Sequence, residues 1–323
     1  MNAVQVAVII VTWNVAELIE QALSSLLADL RTSGLTWRVL VVDSASSDAT
    51  LERVRGMAEH GIELIASPEN LGFARANNLA LRHLGFGMSP AQNAAELPQA
   101  VYLLNPDTIT QAGATKALYQ ALMSVPELGV VGAQLRFGDG SFQHGAFAFP
   151  DLRQLWAEFF PTPGRWLEGR FNGRYPRQAY ASSQPFEVDF TLGATMMLRR
   201  EVIQQTGMFD EQFFMYCEEV DWAWRIRKAG WRIWCVPSAL VVHLGGQSTS
   251  KARARSTLNL WESRLKLFRK HYSAWRWWLA RWMIQVGMWR KMRALAQDSA
   301  YTPEERHALR QSYQTIIHLA RQR

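Results

Sequence analysis

Asn105-Pro106-Asp107 and Glu218-Glu219-Val220-Asp221 are the two places where residue type and spacing could do chemistry. The first follows the apolar run Ala100–Leu104 and sets a carboxylate just after a proline, which holds Asn105 in extended backbone. A lone carboxylate there can hold a divalent cation that bridges a diphosphate, because Mg2+ is usually held by one or two carboxylates plus phosphate oxygens. A simple turn uses the same letters. The second motif packs three carboxylates into four residues after Phe213-Phe214-Met215-Tyr216. If Glu218 begins a helix, the N-terminal dipole favours its charge, and Arg225 sits one turn beyond Asp221, within reach of a pair. A solvated acidic helix start is the alternative. Against it stand the aromatic flanks Tyr216, Trp222 and Trp224, since carboxylates among large apolar groups have raised pKa values and become candidates for acid–base work. His243 ends the strand-like run Ala239–Val242 before Leu244-Gly245-Gly246. A lone histidine is more often structural; here it could be a second cation ligand.

The elements that must position these residues alternate. Val4–Val11 is a β-branched apolar run, read as a buried parallel strand, followed by a helix over Ala16–Leu30. Arg38–Val42 repeats the theme and ends in Asp43-Ser44-Ala45-Ser46-Ser47-Asp48, a cluster of N-cap residues before a helix over Ala49–His60. Ile62–Ala66 is a third strand, Arg75–Leu84 a helix behind the Asn70-Leu71-Gly72-Phe73 turn, and Gly85–Gln99 an insertion loop. Ala100–Leu104 is a strand and Gln111–Ser124 a helix. Close alternation of this kind implies right-handed βαβ units and a doubly wound sheet. Ligands of such sheets bind beyond the carboxyl ends of the strands, where this chain places Thr12-Trp13-Asn14, Asp43-Ser44, Asn70–Phe73 and the Asn-Pro-Asp turn. After the strand Val130–Leu135, residues Arg136–Phe186 lack a period and read as loops over an acceptor cleft. Glu187–Arg199 is a strand region, Glu218–Lys228 a helix, Arg232–Val242 a strand broken at Pro237, and the chain beyond Gly246 helical and basic.

Composition narrows the class. The chain of 323 residues is 48% hydrophobic, ample for a core. Its two cysteines, Cys217 and Cys235, form no CxxC, which argues for a reducing compartment and against a Cys-based zinc site. No GxGxxG or GxxxxGK[ST] occurs. Neither a signal peptide nor an apolar stretch long enough to span a bilayer is evident, so a cytoplasmic location is expected. The net charge of +7 is uneven: residues 251–323 carry 16 Lys and Arg against 4 Asp and Glu, whereas residues 1–250 carry 19 against 24. That asymmetry points to an anionic surface as partner of the tail.

The series VIIVTWN, VVDSASSD, ENLGFARANN, LLNPD, DFTLGATMMLRRE, GMFDEQFFMYCEEVDWAWRIRKAGWRIWCVP and VVHLGG resembles the family-2 glycosyltransferases of the GT-A fold, and within them the rhamnosyltransferase-like branch that builds bacterial surface polysaccharides. The resemblance covers about residues 4–248. It implies a metal-dependent, inverting transfer from a nucleoside-diphosphate sugar to an acceptor hydroxyl, with dTDP-rhamnose as the leading donor and a UDP-hexose or UDP-galactofuranose as alternatives. It further implies that Thr12, Asn14, Asp43, Asn70, Gly72 and Phe73 line the base and ribose, with Asn77 close by. Asn105 and Asp107 stand at the family's DxD, and Asp107 and His243 would hold Mg2+ or Mn2+. Glu219, beside Glu218 and Asp221, matches the catalytic base; Gly193, Ala194 and Trp222 fall on the acceptor side. Two departures accompany the match: the first aspartate of DxD is Asn105, and the ED pair is Glu-Glu.

Residues 1–250 are therefore expected to form the GT-A catalytic domain and residues 251–323 a basic, Trp-rich helical region. Within the latter, Trp275, Trp278, Leu279, Trp282, Val286 and Trp289 fall on one side of a helix that also carries Arg276, Arg281, Arg290, Lys291 and Arg293. This fits an in-plane anchor on the inner face of the cytoplasmic membrane, near a lipid-linked glycan acceptor. Packing of the Trp stripe on the catalytic domain is the alternative, and no nucleic-acid-binding module is visible. A sugar nucleotidylyltransferase would have a glycine-rich basic loop after the first strand, which TWNVAE is not. A catalytically weak sugar-nucleotide-binding scaffold is the non-enzymatic alternative.

Overall fold

The computed structural model describes residues 4–87, 96–245, 253–295, 298 and 300–322. The middle of the expected insertion loop (88–95), the Gly246 end of the last motif and the expected boundary near 250 lie outside them. In chain order the elements are β1 (Val6–Thr12), α1 (Ala16–Ser33), β2 (Trp37–Ser44), α2 (Thr50–Gly56), β3 (Ile62–Ser67), α3 (Gly72–His83), β4 (Ala100–Leu104), β5 (Thr108–Thr110), α4 (Ala114–Ser124) and β6 (Leu128–Arg136). There follow β7 (Phe142–Gln143), β8 (Ala146–Phe147), α5 (Leu152–Phe159), α6 (Gly164–Leu167), α7 (Arg177–Ala181), β9 (Phe186–Glu187), β10 (Phe190–Thr191), β11 (Thr195–Arg199), α8 (Arg200–Thr206), α9 (Glu218–Lys228) and β12 (Arg232–His243). Three helices follow: α10 (Arg253–His271), α11 (Ala274–Leu295) and α12 (Pro303–Arg321).

Two compact units emerge. The first comprises Met1–Phe147, Arg177–Gln212 and Glu219–Gly245; the second comprises Ala148–Pro176, Phe213–Glu218 and Gly246–Arg323. In the first, the sheet runs β3-β2-β1-β4-β11-β6-β12-β5. Strands β3, β2, β1 and β4 are parallel, and β11 is antiparallel to both β4 and β6. Val6–Ile10 are wholly buried, as expected of a central parallel strand that reads as one apolar run. On α1, Ile19, Leu23, Leu26 and Leu30 recur at helical spacing and form its buried stripe. Each such side chain stabilises the fold by about 1.5–3 kcal/mol on burial. Buried Asp29 on α1 accepts hydrogen bonds from the backbone N–H groups of Gly113 (2.5 Å) and Thr115 (2.9 Å), tying α1 to the start of α4.

Three local expectations need correcting. The helix behind Asn70 starts at Gly72 rather than Arg75, because the Asn70 side chain accepts the Gly72 N–H at 3.0 Å and Gly72 adopts φ +69°. Residues Arg136–Phe186 are not only loop: Asp151 caps α5 by accepting from Arg153 N and Gln154 N. Only Leu155 and Phe159 are buried on that short helix, too few for a visible period. The break expected at Pro237 falls in the ladder and not in the strand itself. The strand continues to His243, and the ladder to β6 shifts register between Val236 and Leu240, which absorbs the proline in an irregularity.

In the second unit the buried face of α11 is Ala280, Met283, Ile284, Gly287, Met288 and Leu295. A Cβ on Gly287 would lie 2.2 Å from the Phe159 ring, so only glycine lets α5 approach so closely. Phe159 also stacks on Trp261 at 5.1 Å. Glu158 pairs with Arg264 and with Lys291 (3.2 Å). Burial pushes its carboxyl pKa up, but the two cations override that and hold it below the ordinary range. A capping box between Thr302 and Glu305 starts α12. Among the described residues no helix is long and apolar enough to cross a membrane.

Candidate active site

The carboxyl ends of β1 and β2 are locked together by side chains. Thr12 Oγ1 donates to Asp43 Oδ1 at 3.0 Å, Ser46 Oγ donates to the same oxygen at 2.6 Å, and Ser46 N donates to Oδ2 at 3.0 Å. Asn14 takes φ 52°, in the left-handed region that asparagine tolerates. Its N–H donates to Ser46 Oγ (2.9 Å) and its Oδ1 accepts from Ser47 N (2.8 Å). Asp48 accepts from Ala16 N and Thr50 N, capping the starts of α1 and α2. Thr12 and Asp43 are buried, so their direct work is to set the shape of this turn. Beside it, Ser44 Oγ accepts the Leu71 N–H at 2.7 Å and reaches Asn70 Oδ1 at 3.5 Å, which ties Asn70, Gly72 and Phe73 to the end of β2. Asn77 is buried and donates to Phe73 O at 2.9 Å, an intrahelical contact.

The second cluster arises from ladder register. β12 pairs antiparallel with β5, placing His243 opposite Thr108. That brings His243 Nε2 to 3.4 Å from Asp107 Oδ1, with the two side chains only 10% and 14% exposed. Leu244 N donates to Asp107 O at 2.9 Å and fixes the turn. On the far side of the ring, Gln143 Nε2 lies 3.1 Å from His243 Nδ1. Gln143 escapes sequence reading: only the pairing of β7 with β6 brings it here, and its hairpin carries no motif. Asn105 joins the cluster through the backbone, its N–H donating to Ala194 O at 3.0 Å and its carbonyl accepting Thr108 Oγ1 at 2.7 Å.

Gly193, next to Ala194, leads to the third cluster. A Cβ at Gly193 would lie 3.7 Å from Glu219 Cβ and Cγ and 3.9 Å from Cδ, so the absent side chain leaves open space along the glutamate. Ala194 itself is buried. Tyr216 and Cys217 take φ 71° and 67° immediately before α9. Two successive non-glycine residues in the left-handed region cost on the order of 1–3 kcal/mol each, and they aim the start of α9. Glu218 is buried and Glu219 partly so. Burial pushes the Glu219 carboxyl up to about 7, against the pull of the backbone N–H groups of Glu219 and Val220 at the helix start. Asp221 is fully buried and accepts from Arg225 Nε at 3.0 Å, while Arg225 also donates to Thr206 O and Met208 O. It acts as a strut. Trp222, expected on the acceptor side, is instead a core residue: its ring is fully buried, its Nε1 donates to Thr206 Oγ1 at 2.9 Å, and it packs edge-on to Phe209. At i+1 from Asp221 it faces inward, which its place in the motif does not reveal.

A mixed sheet whose parallel half ends in polar turns, with an aspartate-bearing turn after β4 and an acidic helix start beside Gly193, is the architecture of a GT-A glycosyltransferase. Residues 7–207 match the family described as glycosyl transferase family 2. The chain belongs to that family, in its rhamnosyltransferase-like branch. It is 30% identical over 251 residues to an N-acetylglucosaminyl-diphospho-decaprenol L-rhamnosyltransferase of Mycobacterium tuberculosis, covering 76% of this chain and 79% of that one. Among solved structures it is similar in fold to the mannosyltransferase PcManGT of Pyrobaculum calidifontis in complex with GDP-Man and Mn2+, with a TM-score of 0.57 and 19% identity over 99% of this chain and 87% of that one. It is also similar to GalNAc-T7 with UDP, GalNAc and Mn2+, with a TM-score of 0.58 and 12% identity over 98% of this chain and 56% of that one.

Proposed function

We propose that this glycosyltransferase moves a sugar, with rhamnose from dTDP-rhamnose as the leading donor, to a hydroxyl of a lipid-linked glycan with inversion at the anomeric carbon, in the synthesis of a bacterial surface polysaccharide. The observation that carries the reading is Glu219, a carboxylate pushed up to about 7 beside the side-chain-free Gly193. A general base works best when its pKa lies near the operating pH. Glu219 takes the proton of the acceptor hydroxyl as that oxygen bonds to the anomeric carbon and the nucleoside diphosphate leaves from the opposite face. Gly193 leaves room for the incoming hydroxyl, and Glu218, next in the chain, belongs to the same acidic start.

Asp107 and His243 fit a divalent cation, Mg2+ or Mn2+. Their ligand atoms stand 3.4 Å apart, near the ~3 Å expected of adjacent ligands in an octahedral shell. When bound, such an ion would neutralise charge developing on the departing diphosphate. Among the described residues no cluster of three or more His, Cys, Asp and Glu exists, so diphosphate oxygens and the Asn105 amide would complete the shell. As placed, Gln143 Nε2 donates to His243 Nδ1; a lone pair on Nε2 for the cation requires the Gln143 amide turned, so that its buried and otherwise unbonded Oε1 accepts from Nδ1–H. Thr12, Asn14, Asp43, Asn70, Gly72, Phe73 and Asn77 shape the nucleoside side.

A UDP-hexose or UDP-galactofuranose donor uses the same chemistry. The name of the mycobacterial relative supports rhamnose and a lipid diphosphate-linked N-acetylglucosamine acceptor. Such an acceptor puts the enzyme at the cytoplasmic face of the membrane, with residues 1–250 as the catalytic part and 251–323 as the basic region that holds it there; no nucleic acid is involved. The scaffold alternative loses ground to the raised Glu219, which binding alone does not need.

A thermal-shift screen of nucleotide sugars with and without Mn2+ tests donor binding. A ligand at 100 times its Kd adds about 2.7 kcal/mol to stability, so dTDP-rhamnose with Mn2+ is expected to raise Tm by several degrees. If no nucleotide sugar moves Tm, the donor site is misassigned.

A further inference from the structure

The face of α11 that points away from its own unit is made of tryptophan. Trp275, Trp278, Trp282 and Trp289 are 65%, 66%, 48% and 46% exposed. At about 100° per residue they fall within an arc of about 60°. The residues buried on α11, from Ala280 to Leu295, occupy the opposite side. The helix is therefore apolar on both sides, and only one side is covered within its unit. With roughly 150–250 Å² per indole, the outer stripe exposes on the order of 500 Å², as large as the largest patches seen on monomeric proteins, which are often functional.

Charge selects the occupant. α11 contains Arg276, Arg281, Arg290, Lys291 and Arg293 and no Asp or Glu. Some of these cations serve the fold: Lys291 pairs with Glu158, and Arg281 donates to Ala320 O and Arg321 O at the end of α12. Arg290 and Arg293 are exposed, and Arg293 lies over the Trp289 ring at 3.8 Å. At the other end of the packing, exposed Trp156 on α5 stacks on Phe160, whose ring lies 5.6 Å from the Arg290 guanidinium, so the aromatic and cationic surface continues from α11 onto α5. A second copy would set one acid-free cationic helix against another, which is unfavourable. Nucleic acid calls for a groove or stacking platform with phosphate-facing cations, whereas here the indoles stand along a convex helix.

We infer that the outer face of α11, formed by Trp275, Trp278, Trp282 and Trp289 with Arg290 and Arg293, lies in the plane of an anionic lipid surface. Indoles settle at the headgroup level and flanking arginines meet lipid phosphates. The inference deepens the membrane reading above and rests on it only for the choice of a lipid partner.

The test uses the full chain without sugar nucleotide or acceptor, so its outcome is separate from that of the transfer reaction. Vesicles of phosphatidylcholine with about one third phosphatidylglycerol are compared with pure phosphatidylcholine by co-sedimentation. The wild type is expected to bind the anionic vesicles at least about tenfold more tightly than the neutral ones, with brominated lipid quenching its tryptophan emission. The variant carrying Trp275→Gln, Trp278→Gln and Trp282→Gln is expected to lose at least about tenfold of that affinity while keeping the wild-type Tm, because these side chains are exposed. Replacing Arg290 and Arg293 by Gln is expected to reduce the preference for anionic lipid. Wild-type affinity in the folded triple variant would overturn the inference. So would a wild type that ignores both vesicles, whether it instead forms a dimer in sedimentation velocity or binds an RNA or DNA oligonucleotide.

Discussion

Glu219→Gln is expected to lower the transfer rate by about 10²–10⁴-fold, the usual contribution of a general base, while donor binding measured by calorimetry stays within a factor of a few. The amide keeps the shape of the side chain and cannot take a proton. The same residue sets a pH dependence. With its carboxyl pushed up to about 7 by burial, the base of the free enzyme is protonated and idle below that pH, so wild-type kcat/KM rises as pH increases through about 7. Stability runs the other way. The folded pKa lies above the ordinary 4.5, so the folded state holds its proton more tightly than the unfolded chain. That stabilisation is complete below about 4.5 and disappears as pH rises through about 7, where the partly buried charge must form. One pKa unit corresponds to about 1.4 kcal/mol, and the partial opening to water reduces the whole effect to on the order of 2 kcal/mol. Glu219→Gln is thus expected to melt above the wild type at pH 8 and close to it near pH 4.5. A variant with near-normal turnover would remove Glu219 from the role of base.

The second large effect belongs to the cation. Asp107→Ala removes the one carboxylate of the Asn-Pro-Asp turn and leaves His243 facing no acid at 3.4 Å. A hard divalent ion held by oxygen ligands is expected to lose at least about 100-fold in affinity, measured by calorimetry of Mn2+ with nucleoside diphosphate present, and transfer is expected to fall to the level of EDTA-treated wild type. Asn105→Asp works in the opposite direction. It restores a second carboxylate to a site whose turn is already fixed by the hydrogen bond from Asn105 N to Ala194 O, so tighter Mn2+ binding is expected. Activity undiminished by EDTA would exclude Asp107 and His243 as cation ligands.

The parallel half of the sheet was readable in the sequence because β1, β2 and β4 carry short, continuous apolar runs, rich in β-branched residues in β1 and β2, followed by polar turn letters, and burial on both faces demands that pattern. The Asp221–Arg225 pair was readable for a similarly local reason, since helical spacing alone brings the two together. His243 and Asp107 are different. They lie 136 residues apart, and the antiparallel register of β12 on β5 that joins them leaves no local trace; the family resemblance suggested what periodicity could not. Gln143 was invisible for the same reason. Trp222 failed because an aromatic beside a functional carboxylate reads as site lining, while on α9 it belongs to the buried set Asp221, Trp222, Ala223 and Ile226. The helix α5 was hidden by its flanks of proline, glycine and aromatics and by having only two buried positions. On α11 the reverse holds: the Trp stripe was plain in the sequence, and exposure now separates it from the packed face of the same helix.

The central claim, that this chain transfers a sugar from a nucleotide donor to a lipid-linked acceptor, is tested most directly by mass spectrometry of the acceptor. The full chain would be incubated with Mn2+, dTDP-rhamnose and a polyprenyl diphosphate-linked N-acetylglucosamine, with UDP-hexoses and UDP-galactofuranose run in parallel. The account predicts that the glycolipid gains one deoxyhexosyl unit as one equivalent of dTDP is released, and that neither happens without acceptor. An acceptor of unchanged mass with every donor, from a protein shown to be folded, would contradict it.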